Sequence, residues 1–371
     1  MILDLHIPTR VLFGRGRITE IGRVTSEVGG TALLVCGRHA ARATGLLAVV
    51  RTSLCAAGVT PVIFDRVTPD PRSDDIDEAA ALAADRRCDV VIGLGGGSAI
   101  DAAKAVAAGL RHGPVGPLVG TTIADHPLVP VLAVPTTAGS GAEVTKGAII
   151  TDSGRGLKAG IRGAALFPHT AILDPAVLRT ATPTLARDAG FDALAHAIEG
   201  YVARRANPVT RLYAEHALVL VADQLPKFVA GDTAPEVLDN LALAALLGGF
   251  NVAVAGTCLP HRLQQSMGSV SAVPITHGRG LALVYPEWMR HAYPFAQREF
   301  ATIGAILGAD DAGVAVARVR SEVGITGRLR DHGFDAGHLD TLVGAVTGDI
   351  ANDPIPDADR ETFRSILHAA L

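Results

Sequence analysis

The chain has 371 residues, 49% of them hydrophobic, and a formal net charge of -4. A mean hydropathy of +0.32 excludes a disordered chain, and the length predicts two packed domains rather than one core. No run of Lys or Arg stands out, so the sequence offers no electrostatic footprint for nucleic acid or for an anionic membrane.

The opening residues carry Asp4, His6 and Arg10 and lack the basic-then-apolar layout of a secretory signal. Residues 32–35 (ALLV) then predict a strand, 40–57 a helix, and 61–64 (PVIF) a second strand. Residues 73–86 predict a helix with acids early and arginines at its end, as the helix dipole favours. Residues 89–94 (DVVIGL) predict a third strand that runs into a glycine cluster and a helix over 100–110. Residues 132–134 and 148–151 predict further strands. Strands alternating with helices imply parallel pairing through crossover helices, hence a doubly wound α/β nucleotide-binding domain over 1–180. From about Pro183 onward the pattern is helical, which predicts an all-α domain over 181–371. Residues 241–260 are apolar enough to imitate a membrane span. Gly248, Gly249, Asn251 and Gly256 favour a buried core helix instead. The four cysteines, Cys36, Cys55, Cys88 and Cys258, are scattered without a CxxC pair, which fits a reducing, cytoplasmic compartment. An active site is expected in the cleft between the two halves.

Two glycine-rich segments carry chemistry. Gly95-Gly96-Gly97-Ser98 joins a strand to a helix, where free N–H groups and the positive dipole end suit a phosphate. It is not a GxGxxG fingerprint, and a mere tight connection is the alternative reading. A second segment, residues 135–145 (PTTAGSGAEVT), again follows a strand. Two such loops at strand ends favour a ligand crevice. In the second half, Asp192 and His196 are four residues apart, on one helix face, with Glu199 a turn further on. An ordinary solvated face is the alternative. His261 follows an apolar run and His277 sits in a glycine-flanked turn. One carboxylate and three imidazoles make a donor set for Fe(II) or Zn(II).

Taken together these motifs resemble the iron-containing (group III) alcohol dehydrogenase family, over nearly the whole chain. Phe13-Gly14-Arg15-Gly16 is similar to an opening FGxG. Residues 95–104 resemble GGGSxxDxAK, and residues 135–143 resemble PTTxGTGSE. Asp174-Pro175 and residues 190–199 resemble DP and GxDALxHAxE, and Asn352-Asp353-Pro354 resembles an NPR-type element. The resemblance implies a metal held by Asp192, His196, His261 and His277, with His261, Gln265 and His277 at the catalytic positions. It also implies a dinucleotide bound by Gly37, Arg38, Gly95, Gly96, Gly97, Ser98, Asp101, Thr136, Thr137, Ser140 and Lys158. Gly37 stands where many NAD-preferring members place an aspartate, and Arg38 adds a cation. NADP(H) is therefore expected to be accepted beside NAD(H). Gln265 stands where many members carry a histidine, and the segment from Gly268 to His277 is two residues longer than the common pattern.

These features imply a metal-dependent, NAD(P)-dependent alcohol dehydrogenase or carbonyl reductase, acting on a small-molecule or scaffold-borne alcohol. A homodimer with no nucleic-acid or membrane partner is expected. One alternative is a lyase or cyclase similar to dehydroquinate synthase. It would need basic residues for a phosphorylated substrate, for which Arg262 and Arg279 are the obvious candidates. The other is a non-catalytic assembly subunit.

Overall fold

The computed structural model describes Leu3 and residues 5–371; Asp4 lies outside the described residues. The chain forms two compact units. One comprises Ile7–Thr137 and Ala142–Ala181; the other comprises Thr182–Leu371, the segment Ala138–Gly141 and the described residues before Ile7.

The first unit holds β1 (Arg10–Phe13), α1 (Ile21–Ser26), β2 (Thr31–Gly37), α2 (Ala40–Ala43), α3 (Leu46–Ala56), β3 (Thr60–Val67), α4 (Ser73–Asp85), β4 (Val90–Gly95), α5 (Gly97–His112), β5 (Val131–Pro135), β6 (Gly147–Asp152), β7 (Leu157–Arg162) and β8 (Thr170–Leu173). Six strands form one sheet in the order β1-β8-β5-β4-β2-β3, and every pairing in it is parallel. A parallel sheet needs cover on both faces, and alternate residues supply it. Leu33, Val35 and Val91 pack with α4 and α5; Ala32, Leu34, Ile92 and Leu94 pack with α1 and α3 on the other side.

Three local readings of the sequence differ from this fold. The helix expected over 40–57 is two helices, because Gly45 takes φ +78° between them, a left-handed conformation that ends one helix and permits the next to start at a new angle. The strand expected over 148–151 pairs antiparallel with β7 outside the main sheet. α5 starts inside the glycine cluster at Gly97 rather than at Ile100.

A buried polar cluster ties α5 to β6. Lys104, fully buried, donates to Thr145 O at 3.0 Å, Thr145 Oγ1 at 3.2 Å and Gly147 O at 2.8 Å. Its Nζ lies 3.6 Å from Asp101 Oδ1, while Asp101 Oδ2 accepts from Ile149 N at 2.9 Å. Burial lowers the Lys104 pKa, and it pushes the buried Glu143 carboxyl up to about 7.

The second unit is helical: α6 (Pro183–Val202), α7 (Pro208–Val229), α8 (Pro235–Ala255), α9 (Leu259–Ser266), α10 (His277–Ala292), α11 (Gln297–Ile306), α12 (Ala312–Glu322), α13 (Leu339–Ala345) and α14 (Arg360–Ala370). Among the described residues α8 alone is long and apolar enough to cross a membrane, and 61% of its most apolar window is buried in the protein. It packs against α6 and α7. Gly256 ends it at φ +75°, so the apolar run 241–260 is broken before α9 begins.

The Glu143 carboxyl makes a testable statement about stability. Its folded value of about 7 lies above the ordinary 4.5, so between those pH values the folded chain holds a proton that the unfolded chain releases. The native protein should lose stability relative to Glu143→Gln as pH rises from 4.5 to about 7, and the difference should level off above that. Urea unfolding across a pH series measures it; parallel curves for the two proteins would refute the assignment.

Candidate functional site

α6 runs through the middle of the helical unit and is buried from Gly190 to Val202. Asp192, His196 and Glu199 lie along it, 4%, 5% and 0% exposed. The neighbouring helices approach closely where small residues permit. At Gly278 an added Cβ would lie 1.8 Å from Asp188 O, so only glycine lets the start of α10, with His277, come up against α6.

The imidazoles converge on one carboxylate oxygen. Asp192 Oδ1 lies 3.5 Å from His196 Nε2, 3.4 Å from His261 Nε2 and 3.4 Å from His277 Nε2. His261 Nε2 and His196 Nε2 are 3.0 Å apart. The nitrogen on the far side of each ring has an acceptor. His196 Nδ1 donates to Gly139 O at 3.2 Å, His261 Nδ1 to Glu199 at 2.8 Å, and His277 Nδ1 to Gln264 Oε1. With Nδ1 protonated, every Nε2 presents a lone pair. Four electron-pair donors thus face one point, and Asp192 Oδ1 is buried without a hydrogen-bond partner.

Such an arrangement is repulsive unless a cation sits at its centre. The spacing fits one: metal–ligand bonds of about 2.1 Å in a tetrahedron give ligand separations of about 3.4 Å. Asp192, His261 and His277 form a metal-competent cluster, with ligand atoms all within 4.8 Å of one another. His196 adjoins it through the contacts above. Electrostatics agree. Burial keeps His196 below its ordinary pKa, so its ring stays neutral. Burial opposes charge on His261 too, but the Glu199 and Asp192 carboxylates outweigh it and raise that pKa to about 9. The point where the donors meet therefore favours positive charge. Three nitrogens and one oxygen suit Fe(II) and Zn(II) alike.

Gln265, a turn beyond His261 on α9, is 8% exposed, and its Oε1 accepts from Arg262 Nη1 at 2.9 Å. Gln264 was not singled out from the sequence, yet it fixes the His277 tautomer. Its place three residues after His261 on α9 was the available signal.

In the α/β unit, Gly95 ends β4 at φ +155°, and a Cβ there would meet Ala99 Cβ at 2.7 Å. Gly96 caps α5 and Gly97 opens it, so the first N–H groups of α5 point out of the helix end. The Ser98 hydroxyl donates to Pro69 O. Thr136 N donates to Gly95 O at 2.9 Å, and the Thr137 side chain lies against Gly96. Lys158 on β7 pairs with Asp70 at 2.5 Å, beside Pro69. Asp101 lies within the buried Lys104 cluster rather than at the loop surface. Gly37 ends β2, where its register with β3 shifts, and Arg38 is exposed just after it. The nearby acid Asp65 accepts from Arg42 Nε at 2.6 Å. Ser140 lies in the segment Ala138–Gly141, which belongs to the helical unit. There a Cβ on Gly141 would fall 2.2 Å from Gly249 Cα.

Comparison with known proteins agrees with this chemistry. The family profile described as iron-containing alcohol dehydrogenase matches residues 8–175, and the profile for the C-terminal part of the same family matches residues 186–371. The NAD-dependent methanol dehydrogenase of Bacillus methanolicus is 31% identical, covering 91% of this chain and 89% of its own. The probable alcohol dehydrogenase EutG of Salmonella typhimurium is 33% identical, covering 94% and 89%. The crystal structure of NADH-dependent butanol dehydrogenase A from Thermotoga maritima superposes with a TM-score of 0.91 at 26% identity, covering 100% of this chain and 98% of that one. This chain belongs to the iron-containing alcohol dehydrogenase family, and it is a metal-dependent, nicotinamide-dependent oxidoreductase of alcohols.

Proposed function

We propose that Asp192, His196, His261 and His277 hold one divalent iron or zinc, and that the enzyme interconverts an alcohol and its carbonyl compound with NADP(H), using NAD(H) less well. The convergence of three Nε2 lone pairs on the buried Asp192 Oδ1 carries this reading. When bound, the metal supplies Lewis acidity to a substrate oxygen, and the nicotinamide gives or takes the hydride.

The protein's own groups do the rest. Glu199, Gly139 O and Gln264 keep the rings in one tautomer, so the site is preorganised before anything binds. Gln265 has no proton to exchange at neutral pH, so protons leave by another route than a side chain at this position. The start of α5, with Gly95, Gly96, Gly97, Ser98, Thr136 and Thr137 around it, would receive the dinucleotide phosphates. Lys158 is assigned to the nicotinamide end and Ser140 to the rim of the same loop. At the adenosine end, Gly37 leaves no carboxylate to repel a 2′-phosphate, and Arg38 is free to face one. Asp65 is neutralised by Arg42. Arg279 is engaged by Asp188 at 3.1 Å, and Arg262 by Gln265 and Thr257, which favours a dehydrogenase over a lyase that needs those arginines for a phosphorylated substrate. A homodimer in the cytoplasm completes the proposal; all four cysteines are free.

Anaerobic purification with metal analysis should find about one equivalent of iron or zinc. His261→Ala or His277→Ala should lose it, together with about 100-fold or more in kcat/KM; retention of the metal by both variants would sink the ligand assignment. Gly37→Asp should shift the ratio of NADP to NAD kcat/KM toward NAD by about tenfold, or about 1.4 kcal/mol, and an unchanged ratio removes the nucleotide proposal. Gln265→His should add an inflection near pH 6.5 to the kcat/KM profile, roughly the ordinary imidazole value. A profile identical to that of the native enzyme would place residue 265 outside the proton path.

A further inference from the structure

The NPR-type element near the C-terminus is the one motif that the chemistry above leaves without a task. Here its proline position is occupied by Asp353, which is 0% exposed. A buried carboxylate among apolar helices is costly unless donors surround it, and three do. Asp353 Oδ2 accepts from Leu259 N at 2.7 Å and from Trp288 Nε1 at 3.0 Å. Oδ1 accepts from Ile355 N at 2.9 Å.

The first two donors belong to the two helices that carry His261 and His277. α9 has Cys258 at its N-cap, which supplies no side-chain cap, so its leading N–H groups need acceptors from elsewhere. Glu199 takes the Cys258 N–H and Asp353 takes the Leu259 N–H. Two negative charges thus sit at the positive end of the short helix that presents His261 two residues later. Through its bond to Trp288, the same Asp353 oxygen fixes α10 against that helix end. Asn352 secures the adjoining elbow. Its Nδ2 donates to Ala255 O at 2.7 Å and Thr257 O at 3.2 Å, and its Oδ1 accepts from Arg205 N at 3.2 Å. Arg204 Nε donates to Asp353 O at 2.9 Å, so the end of α6 is held by the same two residues.

We propose that Asp353 is a positioning residue for the metal centre: by capping α9 and anchoring α10 with one oxygen it sets His261 and His277 at metal-binding separation. This rests on the reading that Asp192, His196, His261 and His277 hold the metal. A proline at this position has no carboxylate, so the device belongs to this chain's variant of the element. Its action is on metal retention, and substrate contact is not required of it.

The test uses the full chain loaded with Co(II), and compares the native protein with Asp353→Asn and Asp353→Leu. The readouts are the visible Co(II) spectrum and the rate of Co(II) loss to excess EDTA. Asp353→Leu should release Co(II) about tenfold faster or more, the scale on which groups that orient ligands act, and it should alter the spectrum. Asp353→Asn keeps one acceptor oxygen and should fall between. Trp288→Phe, which removes one donor and keeps a buried ring, should also speed release and covers the case in which Asp353→Leu does not fold. A folded Asp353→Leu or Trp288→Phe with native spectrum and native release rate would overturn the proposal. His277→Ala separates the two ideas: if that variant keeps Co(II) as tightly as the native chain, the ligand set is wrong. If it loses Co(II) while the Asp353 variants do not, only the positioning role falls.

Discussion

An imidazole can offer a lone pair to a cation only if its other nitrogen keeps a proton, and the helical unit is organised so that this condition is met three times over. The three acceptors that meet it are chemically unequal: a backbone carbonyl for His196, a side-chain amide for His277, and a fully buried carboxylate for His261. A carboxylate pushes more electron density through the ring than a neutral oxygen does. Against the opposing effect of burial, the Glu199 and Asp192 carboxylates raise the His261 pKa to about 9. Much of the packing serves this one constraint. Gly278 brings α10 against α6, and Glu199 and Asp353 hold the start of α9 from two sides.

The α/β unit solves a different problem. A parallel sheet covered on both faces leaves its loops as the surfaces free for chemistry, and the glycine cluster after β4 is one of these. Beneath that loop Lys104 satisfies three oxygens of the segment leading into β6. The conformation of residues 145–147 is thus tied to α5, the helix that the glycine cluster opens. Asp101 takes part in this internal bracing through Ile149 N, which argues for a structural share in its role beside any contact with a ligand.

Period and punctuation made much of this legible in the sequence. Long apolar strands followed by glycine showed where the loops lie, and the four-residue spacing of Asp192 and His196 showed a shared helix face. β1 and β8 are not legible because each is four residues long and is defined by its partner more than by its own pattern. β7 is not legible because its hairpin carries no tight two-residue turn signal between β6 and Leu157. The sequence around Gly45 reads as continuous helix, although the left-handed backbone there splits it. Gln264 and Asp353 act through contacts with residues far along the chain, or across a helix face, and no local spacing encodes such contacts. Only Asp192, His196 and Glu199 carry a spacing that points to a shared face; His261 and His277 stand out only by the residues that flank them.

Ala138–Gly141 is a four-residue strip of backbone that leaves the α/β unit, packs among the helices and returns. It brings the Gly139 carbonyl that orients His196 and the Gly141 backbone that nests against Gly249. Severing the chain near residue 181 would therefore not yield two self-sufficient halves, because the helical half would lack a piece encoded more than forty residues upstream. Gene fusion or domain exchange at that junction would separate His196 from the carbonyl that holds its tautomer, along with a packing contact.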